Sequence, residues 1–63
     1  MSKRYTFVVR GVDTDDDNID DEVEKAAEAF AEKKGIENFI VTDFFNTTSK
    51  GKSIQINIED VSE

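Results

Sequence analysis

Residues 53–59 read Ser53-Ile54-Gln55-Ile56-Asn57-Ile58-Glu59, and this stretch decides the fold. Isoleucine recurs at every second position with polar residues between, the pattern of a strand with one covered and one open face. The β-branched side chains suit a pleated, half-buried surface. An inward row of this kind has to be covered by another layer.

Toward the N-terminus lies a polar turn at 47–52, containing Gly51, and before it a second strand-like stretch at 37–48, ENFIVTDFFNTT. The two strands are expected to form a hairpin. The faces of the 37–48 strand compete: Ile40, Thr42 and Phe44 lie on one, Phe39, Val41, Asp43 and Phe45 on the other. The carboxylate of Asp43 favours the second set as the open face.

From Asp20 to Lys34 the apolar period changes to that of a helix. Val23, Ala26, Ala27, Phe30 and Ala31 follow the i, i+3, i+4, i+7, i+8 spacing of an amphipathic stripe. Glu24, Glu28, Glu32 and Lys25 fall on the other side. The alanines allow close approach to a sheet. Asn18, Asp20 and Asp21 are all candidate N-caps. Lys33 and Lys34 complement the C-terminal end of the helix, Gly35 is a natural left-handed cap, and Ile36 is placed to fold back on the last turn.

Residues 4–12, RYTFVVRGV, form the first strand. Tyr5, Phe7 and Val9 share one face, and Arg4, Thr6, Val8 and Arg10 the other; Gly11 marks its bend or end. The expected helix-facing core is Tyr5, Phe7, Val9, Val23, Ala27, Phe30, Ile54, Ile56 and Ile58. Val8, Val12 and one apolar set from the 37–48 strand are left for the open face, where they offer a surface for a partner or a homodimer. The tail Asp60–Glu63 is expected to fray.

The fold class is therefore α+β with element order β-α-β-β, one helix on a three-stranded, mainly antiparallel sheet, in a single domain over 1–63. Strand order 1-3-2 is favoured over one with strands 1 and 2 side by side and parallel, because antiparallel pairs are commoner.

The chain has no Cys and no His. That removes disulfides, a Cys/His zinc site, the thiol nucleophile and the commonest general base. Its serines have no recognisable activating partner, and the acidic residues lie in a loop with no apolar pocket to raise a pKa. The expectation is a protein that is not an enzyme and has no cofactor. Gly51-Lys52-Ser53 lacks the upstream glycine of a phosphate-binding loop and opens a strand instead of a helix. No apolar run approaches a membrane span. Met1-Ser2-Lys3-Arg4 leads directly into a strand pattern, which gives the expectation of a cytoplasmic protein.

Charge is strongly segregated. Net charge is −7; residues 1–12 carry +3, residues 13–24 carry −8 and the remainder −2. Asp13, Asp15, Asp16, Asp17, Asp20, Asp21 and Glu24 are the candidate contact residues for a basic partner. A field of this sign repels nucleic acid and anionic membrane and attracts a basic surface. Tyr5 and Phe7 are accordingly expected beneath the helix instead of on a base-stacking platform.

Asp13, Asp15, Asp17, Asp21 and Glu24 also occupy positions 1, 3, 5, 9 and 12 of a pattern that resembles an EF-hand calcium loop, with Asn18 at the turn position. The resemblance implies oxygen ligands for calcium. A strand precedes the loop where the motif has a helix, and Asp20 stands where it has an apolar residue.

The functional expectation is a non-enzymatic interaction protein presenting an acidic loop and helix face to a basic partner. Small phage-encoded inhibitors of host enzymes are of this kind, including nucleic-acid mimics that block a nucleic-acid-binding protein; the compartment would then be the host cytoplasm. The alternatives are a calcium-binding module at 13–24 and a structural or assembly subunit.

Overall fold

A computed structural model describes residues 3–47 and 51–62. Four elements run along it: β1 (Lys3–Arg10), α1 (Ile19–Lys34), β2 (Phe39–Asn46) and β3 (Ser53–Asp60). The strands form one sheet in the order β1-β3-β2, and both pairings are antiparallel. The strand with the cleanest alternation thus takes the centre, flanked on both sides and covered by the helix. Ile54, Ile56 and Ile58 are 0% exposed.

Helix α1 buries Val23, Ala27 and Ala31 against this row. Tyr5, Phe7, Val9 and Phe30 pack against the core but stay partly exposed. Phe30 stacks on Phe7, with ring centroids 4.4 Å apart, and meets Tyr5 edge-on at 5.9 Å. Asn18 holds the N-cap position without a capping bond from its side chain, which instead donates to Oε1 of Glu22 at 3.3 Å. At the other end Gly35 adopts φ 74°, a left-handed conformation that costs an L-residue with a Cβ about 1 kcal/mol. The Gly35 and Ile36 amides donate to the Glu32 and Ala31 carbonyls, and this turn drives Ile36 into the core.

Three expectations are corrected. Val12 does not join the open face: Gly11, at φ 86°, breaks the alternation of β1, and Val12 turns inward to 7% exposure. The 39/41/43/45 set of β2 does not share a face. The pairing with β3 shifts between Val41 and Asp43, so Val41 opposes Ile58 and Phe44 opposes Ile56, while Asp43 opposes Asn57. This bulge puts Phe39, Val41 and Phe44 on the helix side, and Ile40, Asp43 and Phe45 on the other. Nor does the tail leave the fold at Asp60, which pairs with both Lys3 and Phe39; the Val61 amide donates to the Asn38 carbonyl at 3.0 Å, and Glu63 lies outside the described residues. Of the turn expected at 47–52, Thr48, Ser49 and Lys50 lie outside the described residues. No helix among the described residues is long and apolar enough to cross a membrane.

Candidate functional site

The acidic segment leaves the end of β1 and enters α1 through a tight loop. The Asp16 amide donates to the Asp13 carbonyl at 3.0 Å, and the Ile19 amide to the Asp16 carbonyl at 3.2 Å. Two carboxylates complete the turn from within. Oδ1 of Asp13 accepts from the Asp15 amide at 3.0 Å, and Oδ2 of Asp16 accepts from the Asp13 amide at 3.1 Å. Short acidic side chains are favoured at such positions because they can satisfy nearby main-chain donors.

Long-range contacts fix the loop to the sheet. The Thr14 amide donates to Oδ1 of Asn46 at 3.1 Å, and Nδ2 of Asn46 returns a bond to Oγ1 of Thr14 at 2.9 Å. The Gly11 amide donates to the Lys52 carbonyl at 2.8 Å, and Nζ of Lys52 lies 3.8 Å from Oδ1 of Asp16. Nothing in the local sequence marks Asn46 as an anchor, since its partner is remote in the chain.

Asp15, Asp17, Asp20, Asp21 and Glu24 are exposed, whereas Asp13 and Asp16 are half-buried and turned partly onto the loop amides. Asp20, Asp21 and Glu22 occupy the first turn of α1, where the positive end of the helix dipole favours them. Among the described residues, Lys52 is the cation that pairs with the segment. No group of three or more metal-ligating side chains among the described residues is placed to hold an ion. The five carboxylates of the calcium pattern, Asp13, Asp15, Asp17, Asp21 and Glu24, are therefore not gathered into a ligand set.

A second feature adjoins the acidic face. Between α1 and β2 runs a groove of about 440 Å³, floored by Val23, Phe39, Val41 and Phe44 and walled by Asp20, Glu24 and Glu28. It depends on the bulge in β2, which brings Val41 and Phe44 to the same side of the sheet, and so it was not visible in the alternation of the strand. Of its wall, Glu24 and Glu28 belong to the charged side of the helix read from the sequence, together with Glu32, which does not line the groove.

The open face of the sheet is mixed. Val8 and Phe45, 53% and 46% exposed, stand on either side of Gln55, and Ile40 lies across Glu59 from Arg4. A polar row separates these apolar groups. Oγ1 of Thr6 donates to Oδ1 of Asn57 at 2.7 Å, and Nδ2 of Asn57 donates to Asp43. Tyr5 and Phe7 lie beneath the helix with Phe30, away from this face.

Compared with known proteins, the chain matches no family model, no curated protein and no solved structure.

Proposed function

We infer that the chain is a non-enzymatic binding module that presents its acidic loop and helix start to a basic surface on another protein, such as the nucleic-acid-binding groove of an enzyme that it blocks. The observation that carries this reading is the combination of charge and anchoring. Asp15, Asp17, Asp20, Asp21 and Glu24 are exposed on a segment held to β2 by the reciprocal Thr14–Asn46 bonds. Solubility alone does not require a −8 segment beside a nearly balanced remainder. Clustered charge of one sign steers an oppositely charged partner and raises its association rate.

The test is to isolate partners by pulldown, then to measure association of the purified partner at low and high salt. Replacing Asp15, Asp16, Asp17, Asp20 and Asp21 with Asn or Ser should slow association and flatten its salt dependence. Equal rates for the two proteins at both salt concentrations would refute the reading.

A further inference from the structure

The groove between α1 and β2 combines three properties that together specify an occupant. Its floor is apolar, formed by Val23, Phe39, Val41 and Phe44. Its helix wall carries exposed carboxylates at Asp20, Glu24 and Glu28. No residue of β1 or β3 lines it, so it lies along the flank of the sheet beside β2, an edge strand. The outer main-chain groups of an edge strand are a template for another chain.

The spacing of the wall is informative. Successive carboxylates four residues apart on a helix rise by about 6 Å. Alternate side chains on one face of an extended chain repeat at about 6.7 Å. Lysine and arginine can lay their apolar stems along a hydrophobic floor while their charged heads reach a carboxylate rim. An apolar floor beneath an acidic wall suits these two-part side chains better than purely apolar ones.

We propose that this groove receives an extended segment of the partner protein with Lys or Arg at every second position, laid beside β2 as an added strand. Its basic side chains cross Phe39, Val41 and Phe44 to meet Asp20, Glu24 and Glu28. The inference rests on the reading of the chain as a binder of basic protein surfaces, and it moves the centre of contact from the 13–18 loop to the groove. The bulge at Thr42 divides the edge of β2 into two short runs. Main-chain pairing therefore sets direction and register, and the side chains in the groove supply most of the selectivity.

The experiment uses the full chain and two short synthetic peptides of identical composition. One alternates Arg and Val; the other groups the same residues into an arginine block and a valine block. Binding is followed by fluorescence anisotropy at low and high salt, and the site by amide shifts in NMR spectra. The alternating peptide should bind more tightly than the blocked one and shift the amides of Phe39, Val41 and Phe44. Glu24→Lys together with Glu28→Lys should weaken it on the order of tenfold or more. Neutralising Asp15 and Asp17, which are exposed and do not line the groove, should change its affinity by no more than about twofold at high salt, where charges outside the contact are screened.

The two readings fail differently. If loop neutralisation abolishes peptide binding while the double reversal leaves it intact, the groove is not the site, but the acidic-face reading stands. If both peptides bind equally, or neither binds, the proposal is overturned. If groove amides shift with protein concentration and no peptide, as the molecule dimerises, then a second copy is the occupant and the proposal is wrong. Unchanged amide dispersion in the Glu24→Lys, Glu28→Lys protein shows that its fold is retained. Should that variant unfold, Val41→Lys is the second probe: it places a like charge on the apolar floor at a site already 36% exposed, and it should also weaken the alternating peptide.

Discussion

Asn46, the last residue of β2, and Thr14, in the acidic loop, hold each other by two hydrogen bonds across thirty-two positions of sequence. The Asn46 carbonyl oxygen takes the Thr14 amide and its amide nitrogen donates to the Thr14 hydroxyl, so the side chain satisfies a main-chain donor and a side-chain acceptor at once. The loop is thereby tied to the same hairpin that forms the sheet.

Removing that tie should loosen the loop more than the fold. Asn46→Ala should cost about 1 kcal/mol, the usual net worth of exposed hydrogen bonds of this kind. Hydrogen exchange at the Thr14 amide should rise well beyond what this global change explains. Exchange that increases equally at Thr14 and at Ile56 would show that the loop and the sheet open as one unit.

The core predicts a steep ranking. Ile56 is fully buried at the centre of the sheet, opposite Phe7 on one side and Phe44 on the other. Ile56→Ala should cost about 4 kcal/mol, and Ile56→Val about 1 kcal/mol. Small domains have a total stability near the lower end of about 5–15 kcal/mol, so the alanine variant should be close to unfolded at room temperature. Phe30 is only half-buried despite its stack on Phe7, and Phe30→Ala should cost about 2–3 kcal/mol. Urea denaturation of the three variants checks the order; a Phe30→Ala protein less stable than Ile56→Ala would reverse it.

Much of this packing was legible because the relevant signals were local. The Ile54-Ile56-Ile58 alternation and the Val23–Ala27–Phe30–Ala31 stripe each name their own inward face, and Gly35 with Ile36 marks the helix end. The faces of β2 were not legible, because both alternating sets are apolar and the answer draws from each. Oγ1 of Thr42 donates to the Asn57 carbonyl at 3.0 Å, and the Asp43 carboxylate accepts from the Asn57 side chain. These contacts with the neighbouring strand accompany the register shift, and they exist only once β2 and β3 are paired. The groove depends on that shift, so its Phe39–Val41–Phe44 floor could not be read, whereas Glu24 and Glu28 of its wall stood on the charged helix side. The acidic segment was visible as charge, but its attachment through Thr14 and Asn46 was not.

Gly35 offers a test of the helix terminus. A Cβ added there would meet no atom within 4 Å, so the cost of Gly35→Ala comes from its positive φ alone. About 1 kcal/mol is expected. Gly35→Asn should cost less, because Asn tolerates this conformation better. Thermal melting of the two variants distinguishes this from a packing effect, in which the larger asparagine would be the worse substitution.

The Asp60 carboxylate has a pKa below the usual carboxylate range. The Ser62 hydroxyl and amide both donate to its Oδ1, and Lys3, its partner in register on β1, adds a smaller favourable charge. A lowered folded-state pKa means that the contact contributes fully above the ordinary carboxylate pKa and is lost as pH falls through the lowered value. An NMR titration should place Asp60 below the ordinary carboxylate range. Ser62→Ala should return it toward the ordinary range, and a titration unmoved by that change would assign the shift elsewhere.

The acidic cluster should also act on stability with no other protein bound. Residues 13–24 carry −8, and Lys52 is the described cation that pairs with them. Their mutual repulsion is present in the folded state at low ionic strength, and added salt screens it over a Debye length of about 10 Å at 0.1 M. The melting temperature of the native sequence should therefore rise between low and moderate sodium chloride. Opposing effects act when Asp15, Asp16, Asp17, Asp20 and Asp21 are neutralised. Repulsion falls, but Asp20 and Asp21 also lose a favourable position at the start of α1, typically worth about 0.3–1 kcal/mol each. At low salt the two largely offset, so the variant should melt near the native protein. Its response to salt should nevertheless be much flatter, since the charges being screened are gone. Chloride is the useful anion, because sulfate raises stability through surface exclusion regardless of charge. Parallel salt curves for the two proteins would mean that the cluster does not repel itself in the folded state. Sodium ions held at the carboxylates would then be the first explanation to pursue, by repeating the melts with a bulky organic cation in place of sodium.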